Sequence, residues 1–525
     1  MAARPPAAIL GEVRPASAKR NAAAGALSFL TSVALSLAIS PYLVHSLGDH
    51  RYGVLSLASE FNGYYGLLDI GVRGALGYYV ARSQARRDWG ELQSILTTAF
   101  WFLWAVAALV AALGIGVAIR FPALFDTGGA DPRRVTLTVM VVTLTFALNL
   151  PLSIPNAILV GVRRIDLVAF AEIVSKIAGA GFMYAALRSG GGLLEVALGQ
   201  AGGTVLFWIL LYQQLWRLRI RLPVRRPRIE PKAIRELLAV GSATLVMSVA
   251  LLLVNQVQPI IVASFLGTAW VTYFTIGRYL SVHYYSLVSA LSITLTTAFT
   301  HHHAAGNRSE LTALYLSASR LIGALSAFVG TGVLLFGPRF LALWMGVKYL
   351  QGDFRYRSDV VLLLMMAAIF LRGFFCVSSH FLLGCRYLRF LSTLRMVEAA
   401  ATLVLGLLLI KPLGLAGVAA GSLVPMGVSH LIFLMPYALR RLQLPGRQYF
   451  ADVIKPSLAV AAATGLPGLV LSAWLPPRSW AAFLTEVLIA SACAVAVFWS
   501  TAVRSAEREW LLAKLAGRSS GRAAQ

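Results

Sequence analysis

Apolar stretches recur along almost the whole of this chain, parted by short polar joints. About 18 or more apolar residues suffice to cross the ~30 Å hydrocarbon core of a bilayer as a helix. The pattern predicts about fourteen spans, at 24–46, 53–80, 97–119, 135–160, 167–187, 194–216, 237–265, 270–298, 311–336, 359–383, 390–410, 414–439, 457–475 and 481–503. Turn-forming residues stand at the joints, among them Gly48-Asp49, Gly128-Gly129, Gly190-Gly191-Gly192, Gly267-Thr268, Gly352-Asp353 and Pro476-Pro477. A transmembrane barrel fits poorly, because its strands read as about ten residues of alternating polarity. The expected fold class is an all-α polytopic membrane protein.

Composition sharpens this picture. The 525 residues are 58% hydrophobic and only 13% charged, about half the charge of an ordinary soluble domain. The net charge of +25 would suggest nucleic acid in a soluble protein. Here the basic residues lie mostly in the joints, so topology explains them and no nucleic acid is expected. Numbering the N-terminus as one side, that side collects about 29 Lys and Arg and the other about 11, and the richer side is cytoplasmic. The segment 217–236 contributes most. An even number of spans then puts both termini in the cytoplasm. Cys376, Cys385 and Cys493 lie in or beside apolar spans, and their spacing suits neither a metal site nor a disulfide framework.

The basic segment divides the chain into halves that repeat. Pro41 to Gly48 has a counterpart in Pro259 to Gly267, Gly161-Val-Arg163 in Gly384-Cys-Arg386, and Gly192 to Gly199 in Gly414 to Gly421. Three matches in order at a steady offset predict two pseudo-symmetric six-helix lobes around a central cavity, plus two C-terminal helices, a plan typical of transporters. The expected organisation is 1–23 N-terminal tail, 24–216 N-lobe, 217–236 linker, 237–440 C-lobe, 441–503 helices 13 and 14, and 504–525 C-terminal tail.

Leu47-Gly48, Tyr52-Gly53, Leu68-Asp69-Ile70-Gly71 and the run through Ala81-Arg82 into a basic loop carry a resemblance, as does the segment at Gly414. The chain resembles polysaccharide flippases of the O-antigen and exopolysaccharide type, within the multidrug/oligosaccharidyl-lipid/polysaccharide exporter superfamily. The resemblance implies movement of polyprenyl-diphosphate-linked oligosaccharide from the cytoplasmic to the outer leaflet of a bacterial inner membrane. It implies membrane lipid, and other polysaccharide-assembly membrane proteins, as partners.

Charges at span depth cost at least about 2.5 kcal/mol each on an insertion scale, so each calls for a reason. Asp69 with Arg73, Glu172 with Lys176, and Arg395 with Glu398 have the spacing of helical pairs. Local pairing is the first explanation and ligand contact the alternative, with Asp69 also suited to coupling. Glu60, Arg278, Arg320 and Arg372 have no opposite charge within a turn. They must pair between helices or face water. Arg278, Ser281, Tyr285, Ser289 and Ser292 form one stripe, as on a lumen-facing helix. Arg278, Arg320 and Arg372 would make a cationic lumen suited to a diphosphate, since arginine grips phosphate oxygens through a planar fork. Asn255, Gln256, Gln258 and Tyr285 would meet the sugars. Glu60, Asp69, Arg73, Glu172 and Lys176 are candidates for coupling or gating, and Pro41 and Pro259 for paired bending points.

No catalytic set, metal site or cofactor is expected. Coupling to H+ or Na+ stays open on the sequence. The function expected is a lipid-linked oligosaccharide flippase working by alternating access. The alternatives are a multidrug or organic-cation exporter of the same superfamily, and a non-transporting scaffold of a polysaccharide assembly complex.

Overall fold

A computed structural model describes residues 14–66, 72–86, 88–220, 249, 252–254, 256–292, 294–474, 479–505 and 507–509. Among them the chain is helical and contains no strand. It divides into two compact units, Met1–Thr272 and Tyr273–Gln525. Most of the segment 217–236, with Asp69 and Asn255, falls outside the described residues.

The first unit holds α1 (Ala18–Leu47), α2 (Asp49–Gly66), α3 (Val72–Arg86), α4 (Trp89–Leu124), α5 (Pro132–Leu152), α6 (Ile154–Gly161), α7 (Ile165–Arg188) and α8 (Leu193–Arg217). It closes with α9 (Leu252–Leu266) and the start of α10 (Thr268–Ser292). The joints are stitched by side chains. Thr268 donates to the Asp126 carbonyl at 2.8 Å, and Thr272 to the Asp49 carbonyl at 2.6 Å. α7 packs on α8 and α1, and α4 on α5. One large apolar core runs from Tyr65 through Leu76, Leu103, Leu150 and Ile158 to Leu211.

The second unit continues with α11 (Leu295–Ala304), α12 (Arg308–Trp344), α13 (Ser358–Phe374), α14 (Cys376–Gly384) and α15 (Leu388–Gly427). After a π-helical stretch come α16 (Met435–Leu442), the short α17 (Gly446–Tyr449), α18 (Lys455–Trp474) and α19 (Trp480–Val497). The apolar run Leu388–Leu442 has 55 residues. At 1.5 Å per residue that is about 80 Å, far more than one crossing needs. Gly414 breaks it, with φ 55° and ψ −134°. Only glycine takes that conformation without strain, and an added Cβ would also lie 2.8 Å from the Tyr356 ring. The predicted division between 390–410 and 414–439 falls at this residue.

Among the described residues, eight helices are long and apolar enough to cross a membrane, or nine when the pair α13 and α14, bent by 41°, is taken as one. α7, which carries Asp166, Glu172, Lys176 and Arg188, is not among these eight. Several helices outrun their predicted spans. α12 reaches Trp344 and so includes Arg339, which the sequence pattern places in a loop.

The internal repeat reappears in the backbone. Gly48 and Gly267 end α1 and α9 with φ of 77° and 91°. Arg163 and Arg386 sit in left-handed turns at 59° and 62°, and Arg219 and Gln443 at 54° and 55°. Such conformations are uncommon outside glycine. Two in register, both following a short helix, show one design used twice. Packing agrees. A Cβ on Gly161 of α6 would meet Val80 and the Gly77 carbonyl of α3. A Cβ on Gly384 of α14 would meet the Thr296 carbonyl and Phe299 of α11.

Candidate functional site

Helix periodicity brings polar residues together inside the first unit. On α1, Ser32, Leu35, Ser36 and Ile39 share a face, and so do Glu172, Ser175, Lys176, Gly179 and Met183 on α7. With Asn149 of α5 and Gln200, Gly203, Thr204 and Phe207 of α8, they line a cavity of about 500 Å³. A smaller chamber of about 140 Å³ shares Asn149, Gln200 and Thr204 and adds Asn62 of α2.

The predicted pair Glu172 and Lys176 stands in the larger cavity, 3.7 Å apart and half exposed. Ser28 donates to the Glu172 carboxylate at 2.6 Å, and Lys176 donates to Ser32 Oγ at 2.7 Å. The two charges cancel locally, so the cavity is polar without a strong net charge. Trp208, whose indole only donates, gives its N–H to Asn149 Oδ1 at 2.9 Å. The Asn149 amide NH2 is then the group left for a ligand. Asn62 Oδ1 has no hydrogen-bond partner among the described residues. Buried polar atoms are nearly always paired, so an unpaired acceptor beside a cavity marks a place for a donor. Serine, threonine and amide groups beside the ring of Phe207 suit a polyhydroxylated guest. The sequence reading missed Asn149 and Gln200, although each continues a polar helical stripe.

Glu60 and Gln256 also meet. With its amide nitrogen turned toward the acceptors, Gln256 donates to Glu60 Oε2 at 3.3 Å and to the Glu60 carbonyl. Gln256 therefore packs α9 on α2, where Gly63 leaves room for it. Gln258 and Pro259 are buried on α9, and Pro41 lies within the 30-residue α1. Arg73 belongs to α3, with its side chain outside the described part.

The second unit does not gather the three predicted arginines into one cationic surface. Arg320 is 2% exposed, and two of its three nitrogens are engaged, Nη1 alone having no partner among the described residues. Nε donates to the Ala502 carbonyl at 2.7 Å, and Nη2 to the Glu507 carboxylate at 2.7 and 3.0 Å. Arg320, expected from the sequence to bind substrate, has a structural partner here. It anchors the C-terminal segment to α12, and sequence spacing cannot show a partner 187 residues away. Near the other end of α12, Arg339 pairs with Glu486 of α19 at 2.9 Å. Glu486 is fully buried, and the sequence reading overlooked it. α19 and the C-terminal segment are thus each fastened to α12 by an ion pair, and α18 packs on α12 beside them.

This arrangement predicts an asymmetry. Glu507→Ala leaves a buried guanidinium half satisfied and is expected to cost about 3 kcal/mol. Arg320→Leu leaves a carboxylate already 32% exposed and is expected to cost less, about 1 kcal/mol. Unfolding in detergent micelles measures both, and the reverse order would show that Arg320 is solvated.

Arg372 is buried at 3% exposure, with its guanidinium 4.6 Å from the Tyr285 ring. Its Nε has no partner among the described residues. Arg372 and Tyr285, each expected separately to contact substrate, lie together. Arg278 is half-buried on α10. The polar stripe of α10 is not all lumenal. Ser281 and Ser292 are fully buried and donate to the Arg278 and Val288 carbonyls, and Ser292 lies 3.1 Å from Cys376 Sγ. Hydroxyls satisfied by their own helix pack as small residues, which a polarity count cannot foresee.

Beside Arg372 lies a closed polar network. Arg395 Nη1 donates to Glu398 at 2.9 Å, Ser429 donates to the same carboxylate at 2.6 Å, and Arg395 Nη2 donates to Ser379 at 3.0 Å. His430 places Nδ1 2.9 Å from the Met426 carbonyl and Nε2 3.2 Å from Arg395 Nη1. A carbonyl requires the proton on Nδ1, and arginine requires a lone pair on Nε2, so this geometry holds His430 neutral.

The overall fold is known from solved structures. The chain is similar to lipid II flippase MurJ in an inward closed conformation, with TM-score 0.69 and 12% identity over 92% of this chain and 99% of that one. It is similar to a multidrug resistance MATE family transporter of the MOP superfamily in an inward-facing conformation, with TM-score 0.63 and 16% identity over 82% and 98%. A third likeness is to a MOP superfamily transporter from Pyrococcus furiosus described as having a binding pocket of reverse polarity, with TM-score 0.55 and 16% identity over 83% and 97%. No curated protein sequence matches the chain. At such identities the likenesses establish the fold, an all-α polytopic membrane fold. The family model described as polysaccharide biosynthesis protein matches residues 18–301, more than half of the chain. With its sequence repeat, its apolar helices and this match, the chain belongs to the polysaccharide biosynthesis protein family.

Proposed function

We propose that this protein is a flippase carrying lipid-linked oligosaccharide across the bacterial inner membrane by alternating access. The product would serve cell-surface or exopolysaccharide assembly. The observation that carries the proposal is the cavity between α1, α5, α7 and α8, lined by hydroxyls and amides at span depth. Burying such groups toward lipid is costly, and sugars supply the hydrogen bonds they need. Family membership and the likeness to a lipid II flippase support a lipid-linked substrate. Arg372, with an unpaired Nε beside the Tyr285 ring, is the arginine we assign to the diphosphate. Glu172, neutralised by Lys176, gives an organic cation little to bind and weighs against a drug exporter. Both termini would be cytoplasmic, and H+ or Na+ would bias return of the empty carrier.

The test is headgroup movement of a fluorescent polyprenyl-diphosphate oligosaccharide in proteoliposomes. Gln200→Leu and Arg372→Ala are each expected to slow movement about tenfold or more in folded protein, since one lost polar contact is worth about 1.5 kcal/mol. No movement by the wild type under any ion gradient would sink the flippase. Transport of a drug cation would replace it with an exporter.

A further inference from the structure

In the second unit, the end of α11, the start of α12 and the ends of α14 and α16 enclose a separate cleft of about 440 Å³. His302, His303, Arg308, Arg440, Arg441, Tyr387 and Gln443 line its polar part, and among the described residues no carboxylate lines it. The chain reaches it because Gln443 ends α16 in a left-handed turn, which leaves Arg440 and Arg441 on the last helical turn.

The cationic groups are arranged rather than scattered. The Arg441 guanidinium lies 4.8 Å from the Tyr387 ring and 4.9 Å from the Tyr437 ring, and donates to the Tyr437 hydroxyl at 2.8 Å. Stacking fixes its plane while leaving donors along its edge. Arg308 donates to the Arg441 carbonyl at 3.4 Å, which brings a second guanidinium to the same place. The side chains of Arg440 and His303 make no hydrogen bond or ion pair among the described residues. The nearby acids are already paired with bases, Glu310 with a histidine of the cleft wall. Glu310 bonds His302 at 2.9 Å, and Asp452 lies 3.4 Å from Arg504 in an adjoining hollow. The floor is apolar, built from the buried side chains of Leu311, Phe381 and Cys385. Phe390 and Tyr437 stack face to face at 3.8 Å beside it. Aromatic clusters at helix ends mark the headgroup level of a membrane.

We propose that this cleft binds a phosphate anion at the membrane surface. Arginine forks match phosphate oxygens in pairs, and the apolar floor suits the first carbons of a lipid. The two sources with this chemistry are an anionic phospholipid headgroup and free phosphate. The site is distinct from the cavity of the first unit and stands whether or not that cavity carries a glycan.

The experiment compares full-length protein in nanodiscs of phosphatidylcholine alone and of phosphatidylcholine with phosphatidylglycerol, with inorganic phosphate added to the former. The readouts are Tm and the phospholipid retained after mild detergent extraction. Phosphatidylglycerol is expected to raise Tm and be retained selectively. Arg440→Gln breaks no contact of the fold, and it is expected to lower that retention about tenfold. Arg308→Gln should act in the same direction. Arg447→Gln, an exposed arginine outside the cleft, should leave retention unchanged. A Tm rise with inorganic phosphate, abolished by Arg440→Gln, would assign the site to the free anion. Equal retention in the wild type and Arg440→Gln, with no effect of inorganic phosphate, would overturn the proposal. So would an equal loss in Arg447→Gln.

Discussion

Replacing Arg395 with alanine is expected to destabilise the protein by about 3–5 kcal/mol, because one partner of a buried pair is left behind. Glu398 is fully buried and keeps only Ser429 and the distant His430 ring once the guanidinium is gone. His430 loses the donor that now faces Nε2, and Ser379 loses its partner as well. The loss should therefore exceed that of any single exposed pair in this chain. The paired replacement Arg395→Met with Glu398→Leu is expected to recover much of the stability, since well-packed apolar residues substitute for a buried pair at little cost. Unfolding in detergent micelles, followed by tryptophan fluorescence and circular dichroism, measures both. If Arg395→Ala stayed within about 1 kcal/mol of wild type, water would have to reach Glu398 and the network would not be closed.

Gly203→Val is expected to be nearly as damaging and to affect transport as well. α8 approaches α7 through Gly199 and Gly203. A Cβ on Gly203 would lie 2.7 Å from the Gly179 Cα and 3.0 Å from the Ser175 carbonyl. A Cβ on Gly199 would lie 2.9 Å from the Met183 nitrogen. Small residues four apart let transmembrane backbones touch. The atoms in the way are main chain and cannot rotate aside, so overpacking should cost about 3 kcal/mol. Gly179 and Gly203 also line the cavity, so any separation of α7 from α8 changes its shape. Gly181→Val, on the same α7 with open space around it, is the control and should be close to neutral. Equal stability and equal flipping in the two variants would show that the contact between α7 and α8 is not needed.

Much of the architecture was legible before any coordinates. The apolar runs located the helices, because in hydrocarbon the chain has no other way to satisfy its backbone. The repeat was legible at Gly48 and Gly267 and at Arg163 and Arg386, because turn geometry is local and leaves a local signature. The pairs Glu172 with Lys176 and Arg395 with Glu398 were legible for the same reason, since one helix carries both members. Helix limits were less so. α12 runs on to Trp344 and takes Arg339 with it, because a helix continues past its apolar stretch wherever partners remain.

The amino-acid sequence by itself determined the solvent this protein folds in, the helices that cross it, the twofold repetition and the charge pairs within a helix. Each follows from interactions among residues a few positions apart, or from the water or lipid around them. The tertiary structure alone decided where the long-range polar bonds go. It paired Arg320 with Glu507 and hid Ser281 and Ser292 against their own helix. It turned Asn149, Gln200 and the serines of α1 toward one cavity. Such choices depend on how helices far apart in sequence are rotated about their axes, and that rotation is set by the packing of whole faces. No spacing along the chain encodes it.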